Sequence, residues 1–370
     1  MKNDITSLDL YYLVKEFQVL IGGKIEKIFQ GKDDKKDLLF RFHIPSTGKK
    51  MLRFKLPSLV YLTETKEDYP ENPPGFCMFL RKYLGGARLK AIRQEGFERV
   101  LVLTFEKYTA GKPVIYHLII ELFSRGNMAL CDNEMKIKNP LENQHWTGRE
   151  IRTHQQYLFP PTQANTPALQ ENDIITLIKN SDKESIVKTL AIDTSLGGEY
   201  AEEALARAKV TKDKKQSVLT GKEQKQIAQA VLGLFHEHIN AQTAGNTIAP
   251  FVLITKEAQK SHSSFSEALD EHFTKSPEHK EVEAHKEKVA KIDIIIKEQE
   301  QKIAGFATSA EENQRKGELI YEHYTEIKEI LSTINEARKK YSWKEIKDRV
   351  KGHKTIKEID EKKGTITLEY

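Results

Sequence analysis

The sequence has only two cysteines among its 370 residues, Cys77 and Cys131. Two thiols cannot build a disulfide framework or a four-sulfur metal site, and so low a number suits a reducing compartment. No stretch approaches twenty apolar residues, and the first residues carry no apolar run typical of a secretory signal. These absences predict a cytoplasmic protein without a membrane partner.

Sequence motifs of the common enzyme classes are also missing. There is no Walker A sequence, no strand-linked GxGxxG, no HExxH and no GxSxG. The twelve histidines are scattered, and the closest pair, His236 and His238, would not share a face of a helix. We therefore predict no enzymatic activity, no cofactor and no metal site.

The charge is present but unevenly distributed. Residues 1–160 hold 26 Lys and Arg against 19 Asp and Glu, whereas residues 161–370 hold 33 against 35. A basic excess favours a polyanionic partner, because Lys and Arg neutralise phosphates and release counterions. A solvated surface with a mild lysine bias explains the charge equally well.

The first part of the chain has the pattern of a sheet with a few helices. Residues 8–20 predict a helix, and short strands follow, among them 24–30, 37–43 and 59–63. A proline-rich stretch precedes a short helix at 76–83, after which strands resume. We predict a multidomain α+β protein whose residues 1–165 form a β-rich, mostly antiparallel domain.

Prolines at 160, 161 and 167 mark the end of this domain. The apolar period then becomes helical, which predicts a small helical domain at 170–245 with its longest helix at 221–242. A lone strand is expected at 250–255, within a connecting segment at 246–279.

From residue 280 the chain is highly charged, with apolar residues at heptad spacing. The apolar positions are Val282, Val289, Ile292, Ile296, Ile303 and Phe306. We predict a coiled-coil helix at 280–315 and a small domain at 316–370 that contains a second helix from 317 and a terminal hairpin. Because the heptad face needs a partner helix, we expect either a fragment of a longer protein, which we favour, or a homodimer.

Two groups of residues are candidates for binding. Gly197 and Gly198 join two predicted helices, and the N–H groups that begin the second helix suit a phosphate. Asp9 follows the first helix cap, and Glu98 and Arg99 precede a strand; an Arg fork suits phosphate or a base edge. The alternatives are a plain helix–turn–helix packing unit and an ordinary surface pair.

Several longer motifs resemble the NFACT proteins, which are ribosome-associated quality-control elongation factors. They are SLDL at 7–10, PPGFCMFLRKYLGGARL at 73–89, QEGFER at 94–99, ELFSRGN at 121–127 and LGGEYAEE at 196–203. The resemblance extends over nearly the whole chain, and the sequence looks archaeal.

The resemblance implies a fold. The N-terminal domain would be similar to that of the formamidopyrimidine-DNA glycosylases. A helix-hairpin-helix domain and a coiled-coil arm with a middle domain at its tip would follow. A further RNA-binding domain usually follows the returning arm, and this chain would end before it.

The resemblance also implies an activity without a catalytic site. Such proteins bind large (50S) ribosomal subunits that carry peptidyl-tRNA, and they recruit alanyl-tRNA for template-free tailing of the nascent chain. Asp9 and Arg99 match the family's tRNA-recruiting residues, and Glu98 stands where an Asp is usual, one methylene longer. The matching 121–127 motif adds Arg125 and Asn127 as candidate tRNA-binding residues.

Two other functions are weighed against this one. Some bacterial relatives are described as fibronectin-binding, which would make the chain a surface adhesin; the absent signal and few cysteines disfavour it. A DNA glycosylase would need an N-terminal proline amine, whereas Lys2 and Asn3 stand there.

Overall fold

The computed structural model describes residues 4–45, 47–146, 148–161, 164–245, 247–275, 277–360 and 363–370, without the side chains of residues 274–291, 293, 294 and 297. The chain divides into two compact units, Met1–Lys280 and Glu281–Tyr370. Each unit is described by itself.

The first unit begins with helix α1 (Ser7–Phe17) and a large antiparallel sheet. Its first strands are β1 (Lys24–Gln30), β2 (Asp37–Ile44), β3 (Gly48–Lys55) and β4 (Leu59–Thr63), followed by helix α2 (Gly75–Leu84). The next strands are β5 (Arg88–Gln94), β6 (Val100–Thr109), β7 (Lys112–Glu121), β8 (Asn127–Asp132) and β9 (Ile137–Pro140). A small hairpin of β10 (Gln144–Trp146) and β11 (Arg149–Ile151) completes this part.

The nine strands are ordered β4-β3-β2-β1-β5-β6-β7-β8-β9, but β1 and β5 pair only at Lys24 and Arg88. The sheet therefore opens into two halves that share one core, in which the rings of Phe42 and Phe105 stack 6.5 Å apart. Helix α2 covers the free edge of β1, because Arg81 Nε donates a hydrogen bond to the Ile28 carbonyl at 2.8 Å. The prediction of a mixed fold with a large antiparallel sheet is confirmed.

Four helices follow: α3 (Glu171–Asn180), α4 (Ile186–Asp193), α5 (Gly197–Ala208) and α6 (Gly221–Gly233). The predicted helix at 221–242 is wrong in its second half. The chain leaves the helix at Leu234, which is buried, and the Tyr12 hydroxyl donates to the Leu234 carbonyl at 2.6 Å. Tertiary packing on α1 thus overrides the local helical pattern.

A small sheet of β12 (Gln242–Ala244), β13 (Thr247–Ala249) and β14 (Lys260–Ser261) precedes α7 (Phe265–Asp270). The predicted strand at 250–255 is absent from these described residues. The reason is visible in the hydrogen bonds. The backbone N–H groups of Ile254 and Thr255 donate to the buried carboxylate of Glu203, at 3.0 and 3.1 Å, and not to a neighbouring strand.

Most of the long helix α8 (Pro277–Glu322) lies in the second unit, followed by α9 (Tyr324–Arg338), α10 (Trp343–Arg349), β15 (Ile356–Asp360) and β16 (Thr365–Leu368). The predicted hairpin is confirmed, with the side chains of Ile334, Ile346 and Ile359 in a small core. The expected break before residue 317 is wrong, because α8 continues to Glu322.

On α8, the heptad residues Ile292, Ile296, Ile303 and Phe306 are exposed. The side chains of Val282 and Val289 lie outside the described residues. In the part of the chain that the structure describes, no helix combines the length and apolar character needed to cross a bilayer.

Candidate RNA-binding site

The start of helix α1 is fixed by a capping box that contains Asp9. The Asp9 N–H donates to Thr6 Oγ1 at 3.1 Å, and Asp9 Oδ2 accepts from the Thr6 N–H at 2.7 Å and the Thr6 hydroxyl at 2.9 Å. Asp9 has no exposed surface. Its side chain cannot touch a bound molecule in this conformation, so it acts on this site by holding the beginning of α1.

The other carboxylate oxygen of Asp9 connects α1 to helix α5. The Tyr200 hydroxyl donates to Asp9 Oδ1 at 2.6 Å, and Tyr200 is also fully buried. Burial, and then the Asp9 charge, raises the pKa of Tyr200 well above its ordinary value, so this phenol is a hydrogen-bond donor at neutral pH. Sequence reasoning missed Tyr200, although it lies within the LGGEYAEE motif.

Gly197 and Gly198 stand at the beginning of α5. Gly197 has a φ of +77°, and a Cβ on it would lie 3.5 Å from Thr6 Cγ2. The glycine turn and the capping box of α1 are therefore neighbours. Gly198 is exposed, and a Cβ added to it would have no other atom within 4 Å. A phosphate-binding role for this turn stays a prediction.

The turn between β5 and β6 brings Glu98 and Arg99 to the same place. Gly96 adopts a φ of +54°, and Phe97 anchors the turn by packing, fully buried, against Phe235 with ring centroids 5.2 Å apart. Gln94 Nε2 donates to the Ser7 carbonyl at 3.0 Å and to the Glu98 carbonyl at 2.9 Å. The side chain of Gln94, also missed, thus holds the turn against the start of α1.

Arg99 is half-buried, and its Nη1 donates a long hydrogen bond of 3.5 Å to the Ile5 carbonyl. No carboxylate of the described residues forms an ion pair with it. Its remaining guanidinium N–H groups form a planar, charged fork beside the α1 capping box, and such a fork suits phosphate or a base edge. Asp9, Glu98, Arg99 and Gly197 are therefore brought together, although they come from three distant segments.

Arg125 and Asn127 belong to a neighbouring turn. Gly126 packs so closely that a Cβ on it would lie 2.8 Å from Pro57 Cα, and the residue after Pro57 accepts a hydrogen bond from the Ile5 N–H at 3.0 Å. Arg125 is exposed. A contact between Arg125 and tRNA stays a prediction.

Asn127 is buried, and its side chain forms hydrogen bonds with the backbone of two segments, at Met128 and at Glu142. Its Oδ1 accepts from the N–H groups of Met128 at 2.9 Å and Glu142 at 3.1 Å, and its Nδ2 donates to the Glu142 carbonyl at 2.9 Å. All these groups belong to the fold. We therefore assign Asn127 a structural role in this conformation, while its predicted binding of tRNA is untested.

Among the described residues, no group of three or more His, Cys, Asp or Glu side chains could hold a metal ion. Lys2 and Asn3, which bear on the glycosylase alternative, lie outside the described residues.

Comparisons with known proteins identify the family of the chain. The archaeal Rqc2 homolog aRqcH of Methanocaldococcus jannaschii is 32% identical over the full chain, which spans 58% of that relative. The human ribosome quality control complex subunit NEMF is 24% identical over 94% of the chain, which spans 35% of it. The chain thus spans little more than half of the archaeal relative and about a third of the human one.

Among solved structures, the N-terminal part of the fibronectin/fibrinogen-binding protein from Streptococcus suis matches 74% of this chain and 100% of its own, with a TM-score of 0.62 and 20% identity. That likeness concerns the fold. The family model described as NFACT N-terminal and middle domains matches residues 6–367. The chain belongs to the NFACT family.

Proposed function

We propose that this chain is the tRNA- and ribosome-binding part of a ribosome-associated quality-control factor. It binds large ribosomal subunits that carry peptidyl-tRNA, and it recruits alanyl-tRNA for template-free addition of alanine to the nascent chain. The chain supplies binding and positioning, and the ribosome forms the peptide bonds.

The first support is the family. The human relative is named as a subunit of a ribosome quality control complex, and the archaeal relative as an Rqc2 homolog. We therefore assign a role in ribosome quality control to this chain as well. The proposal includes the cytoplasm as the compartment, and the archaeal relative supports an archaeal source.

The observation that carries the proposal is the position of Arg99. Its guanidinium lies beside the α1 capping box, half-exposed and without a carboxylate partner among the described residues, while Glu98 precedes it in a turn held by Gln94. An Arg held in this way binds a folded RNA through phosphate or base edges. The hydrogen bond between the buried side chains of Asp9 and Tyr200 stabilises the elements that carry this surface.

The other elements are assigned by the same proposal. Helices α4 and α5 with the Gly197–Gly198 turn would be the helix-hairpin-helix, with domain bounds of 170–245, and α8 would be the first helix of a coiled-coil arm. The exposed heptad residues of α8 would be covered by a returning helix of a longer protein, or by a second copy in a homodimer.

The test is the affinity of the chain for alanyl-tRNA. Arg99→Ala should weaken binding by about 1–3 kcal/mol, measured by fluorescence titration at fixed salt. Arg152→Ala is the control, because Arg152 is exposed, is paired with Glu150 and is not one of the candidate residues. Equal affinities of the two variants would reject the role of Arg99.

The adhesin alternative is separated by cell fractionation of the native organism. The proposed function places the protein with the ribosomal fraction. Recovery in the cell-surface fraction, without ribosomes, would support the alternative.

A further inference from the structure

A second basic surface lies where helix α2 covers the edge of β1, and it is built from other residues than the candidate site. Four cationic side chains surround the ring of Phe29. The distances to its centroid are 5.3 Å for Lys27, 5.6 Å for Arg41, 5.0 Å for Lys66 and 6.0 Å for Arg81. All four charges therefore lie within about 12 Å of one another. We call Lys27, Arg41, Lys66 and Arg81 the α2–β1 basic face.

Little nearby charge neutralises this face. Lys27 and Lys66 are exposed, and neither forms an ion pair with a carboxylate of the described residues. Arg41 is paired with Glu26, Nε to Oε2 at 3.0 Å. Arg81 Nε donates a hydrogen bond to the Ile28 carbonyl. This acceptor is neutral, so the bond positions the guanidinium without offsetting its charge. The face thus retains at least three uncompensated positive charges.

The shape of the face suits a strand of phosphates. A cleft of about 290 Å³ runs between β1 and α2, with Lys27 and Arg81 on its walls together with Glu26, whose charge is paired with Arg41. A second group of cations lies beside the ring of Tyr83, with Lys82 at 5.6 Å and Lys138 at 5.0 Å, but Tyr83 is two residues from Arg81 and therefore lies on a different side of α2. This second group is therefore separate from the α2–β1 basic face.

We propose that the α2–β1 basic face is a second RNA-binding surface, which holds the phosphate backbone of a base-paired RNA without reading its sequence. The Phe29 ring orders the long cationic side chains before binding, which lowers the entropy cost of bringing several charges to a backbone. The face shares no residue with the Asp9–Arg99 site, and it rests on the proposed function only in the choice of RNA as the polyanion.

A membrane surface fits the same charges less well. A helix that lies on a lipid surface inserts apolar side chains among the headgroups. Phe29 is only 6% exposed and is covered by the cations, and Met78 is the one large exposed apolar side chain on α2. A basic surface with so few exposed apolar side chains for insertion favours a polyanion bound at the surface over a lipid bilayer.

The test uses the full chain, a 20-base-pair RNA duplex of arbitrary sequence, and the double variant Lys27→Ala/Lys66→Ala. Each lost phosphate contact should make the plot of log K against log salt shallower by about 0.7–0.9, so the double variant should lose about 1.4–1.8 in slope. Affinity at 50 mM salt should fall about tenfold for each lysine by the same relation.

The matched control is Lys179→Ala/Lys222→Ala, which removes two exposed lysines of the helical part that have no ion pair among the described residues. Its slope and affinity should equal those of the unmodified chain. Both double variants should melt at the same temperature as the unmodified chain, because all four lysines are exposed.

Three results would overturn the inference. One is an unchanged slope in Lys27→Ala/Lys66→Ala while the unmodified chain binds the duplex. Another is a chain that binds alanyl-tRNA through Arg99 but not the duplex; the proposed function would then stand alone. The third is that Lys27→Ala/Lys66→Ala loses binding to phosphatidylserine vesicles but keeps the affinity of the unmodified chain for the duplex.

Discussion

The hydrogen bond between Tyr200 and Asp9 should be one of the most costly single bonds to remove from the first unit. It joins two helices across 191 positions of sequence, and both side chains are fully buried. Tyr200→Phe removes only the hydroxyl, so it deletes the bond and leaves the ring packed against Phe251. Asp9→Ala removes the carboxylate and the capping box as well.

The expected magnitudes follow from these contacts. A hydrogen bond to a charged, buried carboxylate contributes about 1.5–3 kcal/mol, which is the destabilisation expected for Tyr200→Phe. Asp9→Ala loses the cap, about 0.5–2 kcal/mol, and removes the carboxylate to which the buried Tyr200 hydroxyl donates, about 1–3 kcal/mol. Because the two changes share one bond, the double variant should be less destabilised than their sum, with a coupling of about 1–3 kcal/mol.

The assay is urea unfolding followed by tryptophan fluorescence. The chain has two tryptophans, Trp146 in the first unit and Trp343 in the second. In a Trp343→Phe background, Trp146 alone reports on the first unit. All variants of the cycle are measured in this background at pH 7.

A second capping box provides the control. Thr220 and Glu223 repeat the hydrogen bonds of Thr6 and Asp9, at 2.8 and 2.9 Å to Glu223 Oε2, but on the exposed start of α6. Glu223→Ala should destabilise the first unit much less than Asp9→Ala. Equal effects of the two, or a coupling near zero between Asp9 and Tyr200, would refute the reasoning.

Three further predictions concern other parts of the first unit. Asn127→Ala should destabilise it by about 1–3 kcal/mol in urea unfolding, because the buried N–H of Met128 and the half-buried N–H and carbonyl of Glu142 lose their partner. An unchanged midpoint would contradict this. Arg53→Met should cost about 3–5 kcal/mol, since Arg53 is 1% exposed and its Nη2 lies 2.6 Å from Asp37 Oδ2; a wild-type thermal melt would count against it. Burial lowers the pKa of His117. As the pH drops below about 6.5, the unfolded state therefore binds a proton before the folded state does, and the free energy of unfolding falls. His117→Gln should reduce that fall, and identical plots of unfolding free energy against pH for the two proteins would exclude this assignment.

Local sequence was sufficient for many of the elements. The bounds of β1 and β4 were predicted to the residue, because strand-forming residues in each case end at glycines, prolines or charged turns. The hairpin at the end of the chain was predicted for the same reason. Where distant residues decide, the prediction was wrong: the second half of the 221–242 helix is replaced by a turn that packs on α1.

The candidate site depended on a resemblance more than on a pattern. The family motifs identified Asp9, Glu98 and Arg99, whereas local patterns alone left an ordinary surface pair as the alternative for Glu98 and Arg99 and placed Asp9 only after the first helix cap. No periodicity shows that Tyr200 donates to Asp9, or that Gln94 ties Ser7 to Glu98, because these bonds join residues 191 and 87 positions apart. The burial of Asp9 and Asn127 is likewise a result of tertiary packing.

The most direct test of the central proposal is the identity of the RNA that co-purifies with the chain from native cells after crosslinking. The proposal predicts enrichment of tRNA, with alanine tRNA foremost, and of large-subunit ribosomal RNA, with the tRNA reduced for Arg99→Ala. RNA indistinguishable from that recovered with an unrelated basic protein would contradict it.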